Sequence, residues 1–212
     1  MSCMASVLVT GFEPFGGATE NPSEQIARRL HGWQLEGHDV VGAVLPCAFH
    51  AALRELRRLI KQHDPVLVIC LGQAGGRIAI MPERVAINLD DARIADNRGA
   101  QPSDRPIVRG GPTAYWSTLP VNAIVQQLRT ARLPAEVSHT AGTFVCNHVF
   151  YGLMHELRGQ RRIRGGFIHV PWLPSQGKPA MSLVRMEQGI RLAVTTAIRV
   201  RRDVKLPGGV LH

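Results

Sequence analysis

The chain has 212 residues, 45% hydrophobic and 19% charged, long enough to bury the core of one domain. It contains no apolar run near the ~18 residues of a membrane span, and Met1-Ser2-Cys3-Met4-Ala5-Ser6-Val7 carries no basic segment or cleavage site of a secretory signal. The formal charge of +9 raises nucleic acid as a partner, but aromatics are only 5%, no RNA-binding or helix-turn-helix signature accompanies the charge, and a solvated basic face is expected instead.

Taken in order, Ser6-Val7-Leu8-Val9-Thr10 reads as a short apolar strand and Gly11 to Gly17 as a glycine-rich turn. Ser23 then caps a helical stretch running to Leu30. Val40 to Pro46 is a second strand. Ala48 to Gln62 is an amphipathic helix with Leu53, Leu56, Leu59 and Ile60 on one face, broken by Asp64-Pro65. Val66 to Leu71 is wholly apolar, the pattern of a strand buried in a parallel sheet. Arg77 to Leu89 is a β-rich excursion and Ile94 to Pro112 a loop. Val121 to Ala131 is helical, Ala135 to Ser138 a strand, Cys146 to Leu157 a helix, Gly166 to Val170 a strand, and Met181 to Arg201 the last helix. The alternation predicts one domain with a three-layer α/β/α sandwich, a mixed but mostly parallel central sheet as in phosphorylase- and hydrolase-like folds, and a flexible basic tail over 203–212.

The glycine-rich turn Gly11-Phe12-Glu13-Pro14-Phe15-Gly16-Gly17 lacks the Lys and Ser or Thr of a P-loop and is not G-x-G-x-x-G, so nucleotide binding is disfavoured. Its phenylalanines either wall a pocket or plug the core. Of the four cysteines, Cys3, Cys47, Cys70 and Cys146, none forms a C-x-x-C pair, and a reducing cytoplasm would keep them as thiols. Cys70 reads as a buried small hydrophobe, Cys3 as part of a frayed terminus, and Cys47 has no acid or base signature beside it. Cys146 stands where Thr140-Ala141-Gly142-Thr143-Phe144-Val145 gives way to a helix, whose dipole favours a thiolate.

His169 interrupts the apolar Gly166-Phe167-Ile168-His169-Val170-Pro171 and is either a core histidine or a base. Glu83, among apolar neighbours, pairs either with Arg84 or Arg77 at the surface or with the second ring nitrogen of His169. Asp90 to Asn97 matches no calcium or zinc spacing, and His148 and His155 share a helix face without a third ligand. No metal and no cofactor is expected.

These segments together resemble the pyroglutamyl-peptidase I family, the C15 cysteine peptidases. The matching blocks are Val9 to Gly17, Asn21-Pro22-Ser23, Leu71-Gly72-Gln73-Ala74-Gly75-Gly76-Arg77, Glu83 to Asn88, Arg93 to Asn97, Ser138 to His148, and Gly166 to Pro171, in order over roughly residues 6 to 198. Trp172 and Ser175 depart from the commoner Tyr and Glu. The resemblance implies a Cys146, His169 and Glu83 triad, with Arg93 beside the cysteine supporting the oxyanion. It implies that Phe12, Phe15 and Phe144 enclose a pyroglutamyl ring, with Asn21 and Gln73 near that pocket. It further implies peptide substrates bearing N-terminal pyroglutamate and a homo-oligomer, dimer or tetramer. Two rival readings are a nucleoside-phosphorylase-like enzyme on the same fold and a non-enzymatic polyanion-binding protein.

Overall fold

The computed structural model describes residues 5–160 and 162–205. The expectations for Cys3 and for 206–212 lie outside the described residues. Eight strands and five helices are seen among the described residues: β1 (Ala5–Phe12), α1 (Pro22–Leu30), β2 (Gln34–Leu35), β3 (His38–Leu45), α2 (Ala51–His63), β4 (Leu67–Gln73), β5 (Met81–Pro82), β6 (Val85–Ile87), β7 (Ala114–Trp116), α3 (Val121–Thr130), α4 (Val145–Leu157), β8 (Arg164–Val170) and α5 (Leu183–Arg199). The main sheet runs β2-β3-β1-β4-β8-β5. Its four central strands are parallel, and β2 and β5 join the edges antiparallel. The mixed α/β sandwich is the fold the sequence predicts.

The sheet separates two apolar cores. On one face α1, α3 and α5 pack over alternate residues such as Val7, Val9, Ile69 and Ile168. On the other, α2 and α4 cover Leu8, Val68, Cys70 and Phe167. The central strand β4 is buried from Leu67 to Gly72, because both its faces are covered by helices. α1 approaches β1 so closely that a Cβ on Gly11 would sit 2.0 Å from the Ser23 carbonyl oxygen. Glycine is therefore required there.

Three local expectations are corrected. Ala135 to Ser138 forms no strand; Ala135 and Ser138 make isolated bridges to Ile80 and Glu83. The N–H groups of Ile80 and Arg84 donate to this segment, but Pro82 between them has no N–H, so the ladder is interrupted. The short strands β2 and β7 were not foreseen; β7 pairs with β6 in a separate two-stranded sheet. Asp203, at the start of the segment expected to be a flexible tail, is docked: it accepts the N–H groups of Asn122 and Ala123 at 3.0 and 2.9 Å and so caps α3. Among the described residues no helix is long and apolar enough to cross a membrane.

Candidate active site

Glu83 is brought to His169 by backbone pairing. Met81 and Pro82 lie opposite His169 and Ile168, and the Glu83 N–H donates to Phe167 O at 2.9 Å. The Glu83 side chain is fully buried, and its Oε1 stands 2.7 Å from His169 Nδ1. The same oxygen accepts from Arg77 Nη1 at 3.3 Å. Both readings of Glu83 thus hold in part, since His169 and Arg77 share it. Arg84 turns away to Asn122 Oδ1 at 2.9 Å. A carboxylate on Nδ1 holds the proton on that nitrogen and leaves Nε2 free to take another.

Cys146 arrives from above the sheet on the first turn of α4. Gly72 pairs with His169 in the parallel register between β4 and β8, and residues so paired face the same side of a sheet. A Cβ on Gly72 would lie 2.8 Å from Cys146 Sγ and 2.8 Å from the Phe167 ring. The missing side chain is what lets the thiol settle over Gly72, the strand partner of His169. Sequence reading missed Gly72 as a site residue; its only signal was a glycine within the buried strand, where a close approach is to be suspected. Gly72→Ala is expected to push the thiol aside and lower kcat/KM by ~100-fold, with a lowered melting temperature. Steady-state kinetics and thermal unfolding of the variant check this.

The electrostatics at the thiol oppose the pull of the helix start. Burial pushes the Cys146 thiol up to about 12; the Glu83 charge and Cys70 add to this, and Arg77 opposes it. Burial thus opposes the thiolate that a helix start favours. The first turn of α4 has no side-chain cap and no acidic residue, so its unpaired N–H groups remain open to a developing anion. Cys70 is fully buried with its thiol pushed up to about 12, and Cys47 is buried and also raised.

The aromatic residues divide between the two roles left open. Phe12 is a core plug, packed on Phe167 at 6.3 Å between centroids. Phe15 and Phe144 are half-buried and pack together at 5.9 Å, next to the start of α4. Phe15 also lines a cleft of about 900 Å³ with Glu20, Gln73, Arg93, Trp172 and Gln176. Cys146 is not among the residues lining it; the link runs through Gln73, which follows Gly72, and through Phe15 on Phe144. Gln73 Oε1 accepts from Gln176 Nε2 at 2.9 Å, which turns its own amide N–H groups away from that bond.

Asn21 is buried, and both atoms of its amide are engaged. Its Oδ1 accepts from the Ser23 N–H and Oγ, capping α1, and its Nδ2 donates to Glu13 O. It shapes the loop that carries Phe15. Arg93 is exposed at the cleft, and no ion pair holds its guanidinium among the described residues. Two bonds between Asp91 and Thr143, at 3.0 and 2.7 Å, tie its loop to the segment before α4. His155 bonds Tyr115 at 2.8 Å, away from His148, and among the described residues no group of three His, Cys, Asp or Glu side chains is placed for a metal.

The profile of the family described as pyroglutamyl peptidase matches residues 5–200. The chain belongs to the pyroglutamyl peptidase family. It is 53% identical over 214 residues to a pyrrolidone-carboxylate peptidase of Klebsiella pneumoniae, covering 99% of this chain and 100% of that one. It is 50% identical over 215 residues to one of Bacillus mycoides, with the same coverage. The crystal structure of pyroglutamyl peptidase I from Bacillus amyloliquefaciens superposes with a TM-score of 0.93 at 47% identity, over 96% of this chain and all of that one. The pyrrolidone carboxyl peptidase of Thermococcus litoralis gives 0.93 at 41% identity, also over 96% of this chain and all of that one.

Proposed function

We propose that this family member is a cysteine exopeptidase that hydrolyses the bond after an N-terminal pyroglutamyl residue of a peptide. The observation that carries the reading is the 2.7 Å bond from Glu83 to His169 in the strand position beside Cys146. Cys146 is the nucleophile. Its Sγ–H proton passes to His169 Nε2 as the sulfur bonds the carbonyl carbon that follows the ring, and Glu83 stabilises the resulting imidazolium. The tetrahedral oxyanion is held by the Cys146 backbone N–H, with Arg93 supporting it; one such donor is worth ~3 kcal/mol. His169 then returns the proton to the departing amine. Water, deprotonated by the same imidazole, hydrolyses the thioester and frees the thiol.

The pyroglutamyl ring is a flat, uncharged lactam. Aromatic walls from Phe15 and Phe144 suit its faces, and the Gln73 amide N–H groups suit its carbonyl. Asn21 fixes the loop that presents Phe15. The cleft lined by Trp172 and Arg93 takes the peptide beyond the ring. Neither a phosphorylase nor a polyanion binder is supported by the family membership. Assembly as a dimer or tetramer, and a cytoplasmic location, belong to the same proposal.

The test compares turnover of pyroglutamyl and prolyl anilides. The lactam substrate is expected to be cleaved and the prolyl analogue, charged and without the ring carbonyl, rejected by ~10⁴ in kcat/KM. Equal cleavage of both, or of neither, overturns the reading.

A further inference from the structure

Two residues after the thiol, α4 carries a second buried histidine for which the reaction above has no use. His148 is fully buried. Its Nδ1 lies 2.8 Å from Asp90 Oδ2, and its Nε2 lies 3.1 Å from the backbone nitrogen of His50. A peptide N–H can only donate, so Nε2 must be the bare nitrogen, and the ring proton sits on Nδ1 and goes to Asp90. The two bonds select a neutral imidazole in a single tautomer.

The backbone it grips is strained. His50 has φ 57 and ψ −38, and the Ala51 N–H closes onto Phe49 O at 2.5 Å. This is a γ-turn of the rare, positive-φ hand, which a residue with a side chain adopts only when its surroundings hold it there. The N–H at its centre ends on His148, and the preceding N–H, that of Phe49, ends on Asp96 Oδ2 at 2.7 Å.

The consequence is the placement of one ring. Phe49 stands edge-on to Phe144 at 5.4 Å and edge-on to His148 at 5.5 Å, wedged between side chains one helical turn apart on α4. Phe144 in turn packs on Phe15.

We infer that His148 is a positioning residue for the substrate ring: with Asp90 it locks the 49–51 turn so that Phe49 backs the Phe144 wall. This rests on the reading that Phe144 and Phe15 enclose the pyroglutamyl ring. His148 touches neither substrate nor thiol in this role. It acts on KM through the aromatic wall and leaves the chemistry at Cys146 alone.

The experiment uses two variants of the full chain. His148→Asn places an amide nitrogen about where Nδ1 stood, keeping a donor for Asp90 but offering nothing to the His50 N–H. His148→Gln reaches further and returns an amide oxygen near the Nε2 position. His148→Asn is expected to raise KM for the pyroglutamyl anilide ~10-fold, the loss of one bond to a buried donor, with kcat within about threefold of wild type. Iodoacetamide labelling of Cys146 should be unchanged, and His148→Gln should recover most of the KM. An unchanged KM in His148→Asn, or labelling that falls together with kcat, overturns the inference. Should His148→Asn not fold, ¹⁵N NMR of the wild-type imidazole decides it: a protonated Nδ1 and bare Nε2 support the lock, and a proton on Nε2 overturns it. Labelling and tautomer are read without peptide hydrolysis, so their failure is distinct from a failure of the peptidase reading, which is a wild-type protein that does not release pyroglutamate.

Discussion

Cys146→Ala leaves a folded protein that no longer releases pyroglutamate, with kcat reduced by a factor on the order of 10⁶. The size of the effect follows from the absence of a substitute among the described residues. Cys70 has no exposed surface and Cys47 is 2% exposed, and burial raises both thiols. Neither can meet a carbonyl carbon. The fold has little reason to respond, since only one half-buried sulfur is lost and the cores on both faces of the sheet are untouched. A shift of ~1 kcal/mol corresponds to about 2–4 °C in a protein of this size. Turnover of the anilide, alongside a thermal melt, checks both halves. Retained hydrolysis in a folded variant would remove Cys146 from the mechanism.

Glu83→Gln separates the two effects of one carboxylate. In the proposed mechanism Glu83 stabilises a protonated His169 during attack, so its loss is expected to lower kcat by ~10⁴, the scale seen when a histidine loses its orienting carboxylate. The same charge also raises the Cys146 thiol. The sign is fixed: a nearby negative charge disfavours the thiolate, and a neutral amide relieves that, so the thiol's pKa falls in the variant. At a fixed pH near 9, alkylation of Cys146 should therefore quicken while hydrolysis collapses. The measurement is iodoacetamide labelling across pH beside the anilide assay. If labelling slows together with hydrolysis, the resting site is an ion pair of thiolate and imidazolium, and the neutral thiol argued from burial is wrong.

Much of the fold was legible because its signals are local. The unbroken apolar run at Val66 to Leu71 marks a strand covered on both faces, and the 3.6-residue periodicity of α2 marks the helix that covers one of them. The errors fell where pairing is decided at a distance. Ala135 to Ser138 has strand-like residues, but its partner contains Pro82 and the ladder fails. β2 and β7 are too short to carry a period. Asp203 looks like tail residue until the N-terminus of α3 is seen beneath it.

The site divides in the same way. The residues Cys146, His169 and Glu83 could be singled out by type: a thiol before a helix, an imidazole inside a strand, and a carboxylate among apolar neighbours. Asn21 was singled out too, but its amide oxygen caps α1 ahead of Pro22, the place the sequence reading gives to Ser23, which lies inside the helix.

The sequence by itself determined the α/β alternation, the two-sided burial of the central strand and the identity of the candidate chemical groups, because each of these depends on residue type and on neighbours within a few positions. Only the tertiary structure decided which groups meet. The parallel register sets Gly72 beside His169 and so makes room for Sγ; an antiparallel edge strand delivers Glu83; a strained turn distant in sequence, held by His148, sets Phe49 against Phe144. It also set how deeply the thiol is seated. A helix start favours a thiolate, but the depth at which that start is buried is a property of the whole packing, and here burial pushes the other way.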